Sequence, residues 1–126
     1  YHFKQCNAVF LEANYDDAML EASNYPYFLK RRITGDNGHL SNDAALELFC
    51  RYKSNNLTHL ILSHLSKNNN SPEIVEKVFM QYCDETKIAV ASRYHESEVY
   101  FIQKTPGTVK EKSQYNQHAV QLSIFN

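Results

Sequence analysis

The sequence lacks the features that place a chain in a membrane or outside the cell. None of its apolar runs approaches the roughly 18–20 residues that span a bilayer, and no charged-then-apolar signal segment opens the chain. Its three cysteines, Cys6, Cys50 and Cys83, are odd in number and have no CxxC spacing. They are typical of reduced intracellular thiols, not of a disulfide framework or a zinc knuckle. These absences predict a cytoplasmic protein.

A marked excess of charge of one sign is also absent. With 13 Lys and Arg against 14 Asp and Glu, the net charge of -1 is not that of a dedicated nucleic-acid-binding protein, although it leaves a local basic patch open. A chain of 126 residues with 43% hydrophobic content forms one modest domain. There is no initiator methionine, and strand-like residues 8–11 follow the first residue closely, so we expect the chain to begin within a domain.

The remaining pattern alternates strands and helices. Apolar runs predict strands over 7–13, 57–66 and 87–92, and further strands over 98–103 and 119–125, with a polar loop over 105–117. Capping and proline signals predict a helix over 16–22 and a second helix that begins at Pro26. A third helix is predicted from Ser71 to about residue 82. Its predicted buried stripe consists of Ile74, Val75, Val78, Phe79 and Tyr82. The strand, helix, strand order over 57–92 predicts a right-handed crossover between parallel strands, and so an α/β (mixed α+β) fold.

Glycine is scarce, and two of the three glycines lie at 35 and 38, which predicts a shaped loop before His39. Ser41 and Asn42 are N-cap candidates for a helix over 43–52, with a predicted apolar face of Ala44, Ala45, Leu48 and Phe49. His39 then lies just before a helix N-terminus, where a carboxylate or phosphate is favoured. Glu12 and Asp16, at the end of the first strand, are the candidate carboxylates.

A second histidine ends the central strand. Residues 57–66 deliver His64 at the C-terminal edge of a buried strand, followed by the polar loop 67–70. An α/β scaffold commonly presents a metal ligand or an acid/base group in this way, although a strand-end histidine is more often structural. His59 is expected to pack within the strand, and the other three histidines are expected at the surface: His2, His95 and His118.

Four motifs occur in a characteristic order: Phe10-Leu-Glu-Ala-Asn-Tyr-Asp16, Tyr25-Pro-Tyr-Phe-Leu-Lys30, Gly38-His-Leu-Ser-Asn42, and Ser63-His-Leu-Ser66 with Asn68-Asn69. In this order they resemble the C-terminal half of a metallo-β-lactamase-fold hydrolase, most closely the bacterial YycJ/WalJ-like branch. The resemblance extends over nearly the whole chain, up to the strand at 87–92. It implies an αββα sandwich with one or two divalent metal ions, usually zinc and sometimes manganese or iron.

The resemblance also implies roles for individual residues. His64 matches a metal-ligating histidine, and His39 matches a histidine that lies near the scissile phosphate as an acid or a phosphate contact. Glu12 would orient His39 through a carboxylate–imidazole hydrogen bond, and the alternative is a plain strand-end carboxylate. The predicted substrate contacts are Ser41, Asn42, Arg31 and Arg32, with Lys30 beside them; the basic cluster is otherwise a solvated helix face.

The resemblance is incomplete, because no His-x-His occurs in the sequence. The His-x-His-x-Asp-His motif, a further histidine ligand and a bridging aspartate, which such enzymes carry in their N-terminal half, are therefore missing. One matched ligand cannot hold a catalytic metal that needs three or more. We therefore predict that residues 1–126 are a single partial domain that is inactive alone. An N-terminal half or a second chain would complete it, and its exposed sheet face would favour a homodimer.

The intact enzyme is expected to hydrolyse nucleic-acid phosphodiesters through metal-activated water. A thioester or lactone hydrolase on the same fold is the enzymatic alternative. The alternative of a different class is a metal-free interaction or structural module, in which His39 and His64 are packing residues.

Overall fold

The computed structural model describes residues 2–83, 85–102 and 119–120. A short 3-10 helix, His2–Gln5, comes first. The elements that follow are β1 (Ala8–Glu12), α1 (Asp17–Ala22), α2 (Tyr27–Thr34), α3 (Asn42–Tyr52), β2 (His59–Ser63), α4 (Pro72–Met80), β3 (Lys87–Val90), β4 (Tyr100–Phe101) and β5 (Ala119–Val120). Within these described ranges, no helix combines the length and the apolar character needed to cross a membrane.

A three-stranded parallel sheet, with β2 between β1 and β3, forms the centre of the fold. Helix α4 lies between β2 and β3 in the chain, which confirms the predicted strand, helix, strand unit and the mixed α/β class. The register pairs Glu12 with Ser63, so β1 and β2 end side by side. Residues that follow these two strands therefore meet at one edge of the sheet.

The hydrophobic core lies between one face of this sheet and helices α3 and α4. The strands contribute Leu11, Leu60 and Leu62, and the helices contribute Ala45, Phe49, Val75 and Phe79. The rings of Phe49 and Phe79 lie 5.9 Å apart at their centroids, within the range of favourable aromatic pairs. The period-2 alternation of the strands and the helical spacing of α3 and α4 thus converge on one core.

Side-chain caps fix the helix starts at or near the predicted positions. Asp16 accepts a hydrogen bond from the backbone N–H of Met19, and Ser71 accepts one from Ile74. Ser41 is the cap of α3, since it accepts from Ala44, whereas Asn42 is the first residue of the helix itself. Each cap satisfies an N–H group that the first helical turn would leave unpaired.

The predicted helix faces need two corrections. On α3, Ala44 is exposed, because the buried face passes through Asn42, Ala45 and Phe49, at i, i+3 and i+7. On α4, Tyr82 is 48% exposed, since the helix ends at Met80 and the stripe does not continue beyond it.

The predicted C-terminal strands are described only in part. Of the strand expected over 98–103, residues 98–102 are described, and among them β4 pairs antiparallel with β5. The polar loop expected over 105–117, His118 and residues 121–125 lie outside the described residues.

His59 is buried on the central strand, which confirms that it packs. Its ring centroid lies 5.5 Å from that of Tyr100, and its Nδ1 atom is 2.9 Å from the hydroxyl of Thr58. Burial lowers the pKa of His59 and the positive charge of Lys87 lowers it further, which together outweigh the opposite effect of Glu98. The folded protein therefore binds a proton at His59 less readily than the unfolded chain does.

We expect His59→Phe to weaken the pH dependence of folding. Because the pKa of His59 is lower in the folded state, its contribution to stability is complete above the unfolded pKa of about 6.5 and is lost as the pH falls through the folded value. Urea unfolding at pH 7.5 and pH 5.5 measures the loss, which should be smaller in His59→Phe than in the parent. The exposed His95→Phe variant is the control, and an equal reduction in both variants would contradict the assignment.

Candidate active site

Three predicted site residues meet at the C-terminal edge of β1 and β2. Glu12 is the last residue of β1, His64 directly follows β2, and His39 lies in the loop between α2 and α3. The Oε1 atom of Glu12 is 2.7 Å from Nδ1 of His39 and 2.7 Å from Nδ1 of His64. One carboxylate oxygen therefore accepts hydrogen bonds from both imidazoles, which have their ring centroids 5.1 Å apart.

The loop that carries His39 passes very close to the end of α2. The backbone N–H groups of Gly38 and His39 donate to the carbonyls of Gly35 and Ile33, respectively. A Cβ atom on Gly38 would lie 2.1 Å from the carbonyl oxygen of Ile33, so no other residue fits there without displacing backbone. The glycine before His39 is thus required by the approach of the loop to the helix.

His64 has a left-handed backbone conformation, with φ at 60°. The side-chain amide of Asn14 donates to the His64 carbonyl at 2.6 Å, and the backbone of Asn14 bonds to Leu40 and Ser66. Asn14 therefore ties together the two segments that carry the histidines. Sequence reasoning assigned no role to this residue, although it lies within the motif over residues 10–16, directly after the predicted first strand.

A pair of buried amides supports the same edge. Asn42 and Asn70 donate to each other's side-chain oxygens at 3.1 Å and 2.8 Å, and Asn70 also donates to the carbonyl of Ala13. Ser41 is buried as the cap of α3. Because their polar groups are used inside the protein, Ser41 and Asn42 hold the loop of His39; a direct substrate contact by either stays a prediction.

The structure separates the basic residues that were predicted together. Arg32 lines a cavity that His39 and His64 also line. Arg31 lines a different cavity, with Asp17 and Glu21 among its walls. Lys30 lines that second cavity as well, and its ammonium group donates to the carbonyl of Glu21 at 2.5 Å. Of the three, only Arg32 therefore faces the histidine pair.

The environment of Glu12 favours its charged form. Burial alone would raise the pKa of Glu12, but the hydrogen bonds from His39 and His64, together with electrostatic attraction to these rings, lower it below its usual 4.5. Its side chain is 31% exposed, against 42% for His39 and 62% for His64. The carboxylate thus lies behind two rings that a ligand from solvent can reach.

The cluster of Glu12, His39 and His64 could hold a divalent metal, because each residue offers one ligand atom. Candidate ligand atoms of all three lie within 4.8 Å of one another. The 2.7 Å between Nδ1 and Oε1 is a hydrogen-bond distance, shorter than the roughly 3.3 Å between two tetrahedral ligands at about 2.05 Å from one metal. With Nδ1 bonded to Glu12, each ring keeps Nε2 for a ligand, and a carboxylate behind an imidazole is the usual support of a metal-binding histidine.

The left-handed backbone at His64 predicts that a glycine variant is more stable there than an alanine variant, the reverse of the usual order. Because a left-handed conformation is unfavourable for any residue with a Cβ atom, His64→Gly should be more stable than His64→Ala by about 1 kcal/mol. Both variants lose the same hydrogen bond to Glu12, so the difference isolates the backbone term. At the neighbouring Ser63, within β2, the order should reverse, with glycine less stable by about 0.5–1 kcal/mol. Urea unfolding measures both pairs, and the same order at the two positions would contradict the assigned strain.

The sequence is similar to two curated bacterial nucleases over most of its length. It is 32% identical over 112 residues to "Exodeoxyribonuclease YycJ" of Bacillus anthracis and 35% identical over 80 residues to "Exodeoxyribonuclease WalJ" of Streptococcus pneumoniae. These alignments cover 89% and 64% of this chain but 40% and 30% of the relatives. The chain thus spans less than half the length of the relatives it matches. No family profile and no solved structure matches it.

Proposed function

We propose that residues 1–126 are the C-terminal part of a metallo-β-lactamase-fold hydrolase that cleaves phosphodiester bonds in DNA. The observation that carries this proposal is the single Glu12 oxygen that accepts from both His39 and His64 and leaves two outer nitrogens for ligands. The similarity to proteins named exodeoxyribonucleases over most of the chain supports the substrate. Cytoplasmic location stays a prediction.

In this proposal His64 is a metal ligand through Nε2, with Glu12 as the carboxylate behind it. The metal is zinc, with manganese or iron as alternatives, and a bound divalent ion would activate water and stabilise negative charge on the phosphate. A catalytic site needs three or more protein ligands, so the rest of the protein or a second chain provides those that residues 1–126 lack. The isolated chain is therefore expected to be inactive.

His39 would exchange a proton with the substrate or bind its phosphate. Glu12 fixes the proton of the neutral ring on Nδ1, which leaves Nε2 as an acceptor. When Nε2 takes up a proton, the carboxylate stabilises the resulting positive charge, so the ring can then donate to a leaving oxygen or a phosphate oxygen. Arg32 is the proposed phosphate contact beside it, because it shares the cavity of both histidines.

In this proposal residues 1–126 form one half of an αββα sandwich, and the rest of the protein or another chain forms the other half. Phe10 lies on β1 and is 49% exposed, although it is flanked in the sheet by the buried Ile61. A second sheet, from the missing N-terminal half or from another chain, would cover this side. A homodimer through the same face is the alternative arrangement.

We expect His39→Ala and His64→Ala to separate metal binding from catalysis. In the protein extended at its N-terminus to full length, His64→Ala should lose both bound metal and phosphodiester cleavage. His39→Ala should keep the metal but lose about 10²- to 10⁴-fold in cleavage rate, the usual contribution of a general acid or base. Elemental analysis and hydrolysis of bis(4-nitrophenyl) phosphate measure the two properties, with the exposed His95→Ala as control.

Four outcomes would contradict the proposal. If the full-length protein binds no metal, or if His64→Ala changes nothing, the histidines are packing residues of an interaction module. If the protein hydrolyses a thioester or a lactone but no phosphodiester, the substrate class is wrong. If the 126-residue chain cleaves DNA as fast as the full-length protein, the partial-domain assignment fails.

A further inference from the structure

Two neighbouring cavities meet at the histidine pair. One, of about 580 Å³, is bordered by Arg32, His39 and His64; the other, of about 420 Å³, extends from His64 towards Tyr94. Five residues line both cavities: His64, Leu65, Ser66, Lys67 and Arg93. The two cavities therefore form one groove that passes over His64.

The groove has a charge that the whole chain does not have. The chain has a net charge of -1, yet the groove is lined by Arg32, Lys67 and Arg93, and none of its described lining residues is Asp or Glu. Within the described ranges, neither Arg32 nor Lys67 forms an ion pair. A local concentration of unpaired positive charge beside a predicted phosphodiester centre favours an extended polyanion.

The two residues at the middle of the groove are well placed to contact backbone phosphates. Arg93 donates one N–H to the carbonyl of Leu65 at 2.5 Å, which fixes its guanidinium at the junction and leaves further N–H groups for a ligand. Lys67 follows Ser66 in the same loop as His64. Lys67 therefore lies three residues after His64, the proposed metal ligand, and Arg93 contacts the residue that directly follows His64.

An exposed aromatic ring stands at the far end. Tyr94 lines the smaller cavity and is 68% exposed, and its backbone is held by the hydroxyl of Ser92. Basic grooves with exposed aromatic side chains are typical of proteins that bind single-stranded nucleic acid, because the charges follow the backbone and the rings stack on bases.

We propose that this groove holds a single DNA strand across the histidine pair, with Lys67 and Arg93 on consecutive phosphates and Tyr94 stacked on a base. The proposal rests on the proposed function and adds to it the path of the strand and three substrate-positioning residues. It also explains how a chain without a basic excess binds a nucleic acid, since the positive charge is confined to one groove.

Binding of a non-cleavable strand tests the groove apart from catalysis. With the full-length, metal-loaded protein, the affinity for a fluorescent phosphorothioate oligonucleotide would be measured by anisotropy over a range of salt concentrations. Lys67→Ala and Arg93→Ala should each lower the slope of log affinity against log salt by about 0.7, the value for one contact with a single strand. Tyr94→Ala should weaken binding by roughly 5- to 150-fold, which corresponds to the loss of one stacked base.

The matched control is Lys77→Ala, an exposed lysine on α4 outside the groove, which should bind like the parent. Because Lys67 has an exposed side chain, its variant should fold normally, and thermal unfolding checks this. Unchanged slopes for Lys67→Ala and Arg93→Ala, an equal loss in Lys77→Ala, or a blunt duplex bound as tightly as the single strand would each overturn the proposal. Hydrolysis of bis(4-nitrophenyl) phosphate by the unaltered protein tests the proposed function separately.

Discussion

The arrangement at the sheet edge depends on one carboxylate oxygen that accepts from two imidazoles. Glu12 can do this because β1 and β2 are parallel neighbours that end in register, so its side chain and that of His64 leave the sheet at the same place. The loop before α3 then brings His39 to the same oxygen. Bonds to an ionised acceptor are stronger than neutral ones, which allows a partly exposed cluster to hold two rings in a defined orientation.

This interaction requires an unusual backbone around it. His64 has a positive φ, and the loop before His39 approaches α2 so closely that only a glycine fits at position 38. The buried amides of Asn14, Asn42 and Asn70 hold these segments by hydrogen bonds to carbonyls and to each other. Without these partners, buried backbone carbonyl groups at this edge would have no hydrogen bond, which costs about 1–3 kcal/mol for each group.

Local sequence signals predicted the parts of this structure that local physics determines. The strand, helix, strand unit, the helix caps and the glycine-shaped loop follow from apolar periodicity and from residues within one turn of each other. The contact of Glu12 with His39 was predicted from the family resemblance, but its contact with His64, the Asn42–Asn70 pair and the separation of Arg31 from Arg32 were not. These features depend on strand order and on contacts between residues far apart in the sequence, and no short-range pattern encodes them. Asn42 and Asn70, for example, are separated by 28 positions.

The most direct test of this account is the tautomer of the two histidines. Long-range ¹H–¹⁵N NMR correlations of the metal-free protein, at a pH where the rings are neutral, distinguish a proton on Nδ1 from one on Nε2. If Glu12 holds both rings, His39 and His64 should each carry the proton on Nδ1, and Glu12→Gln, which keeps the size of the side chain but removes its charge, should change this preference. A proton on Nε2 of either ring would contradict the shared carboxylate, and with it the assignment of Nε2 as the nitrogen that binds a ligand.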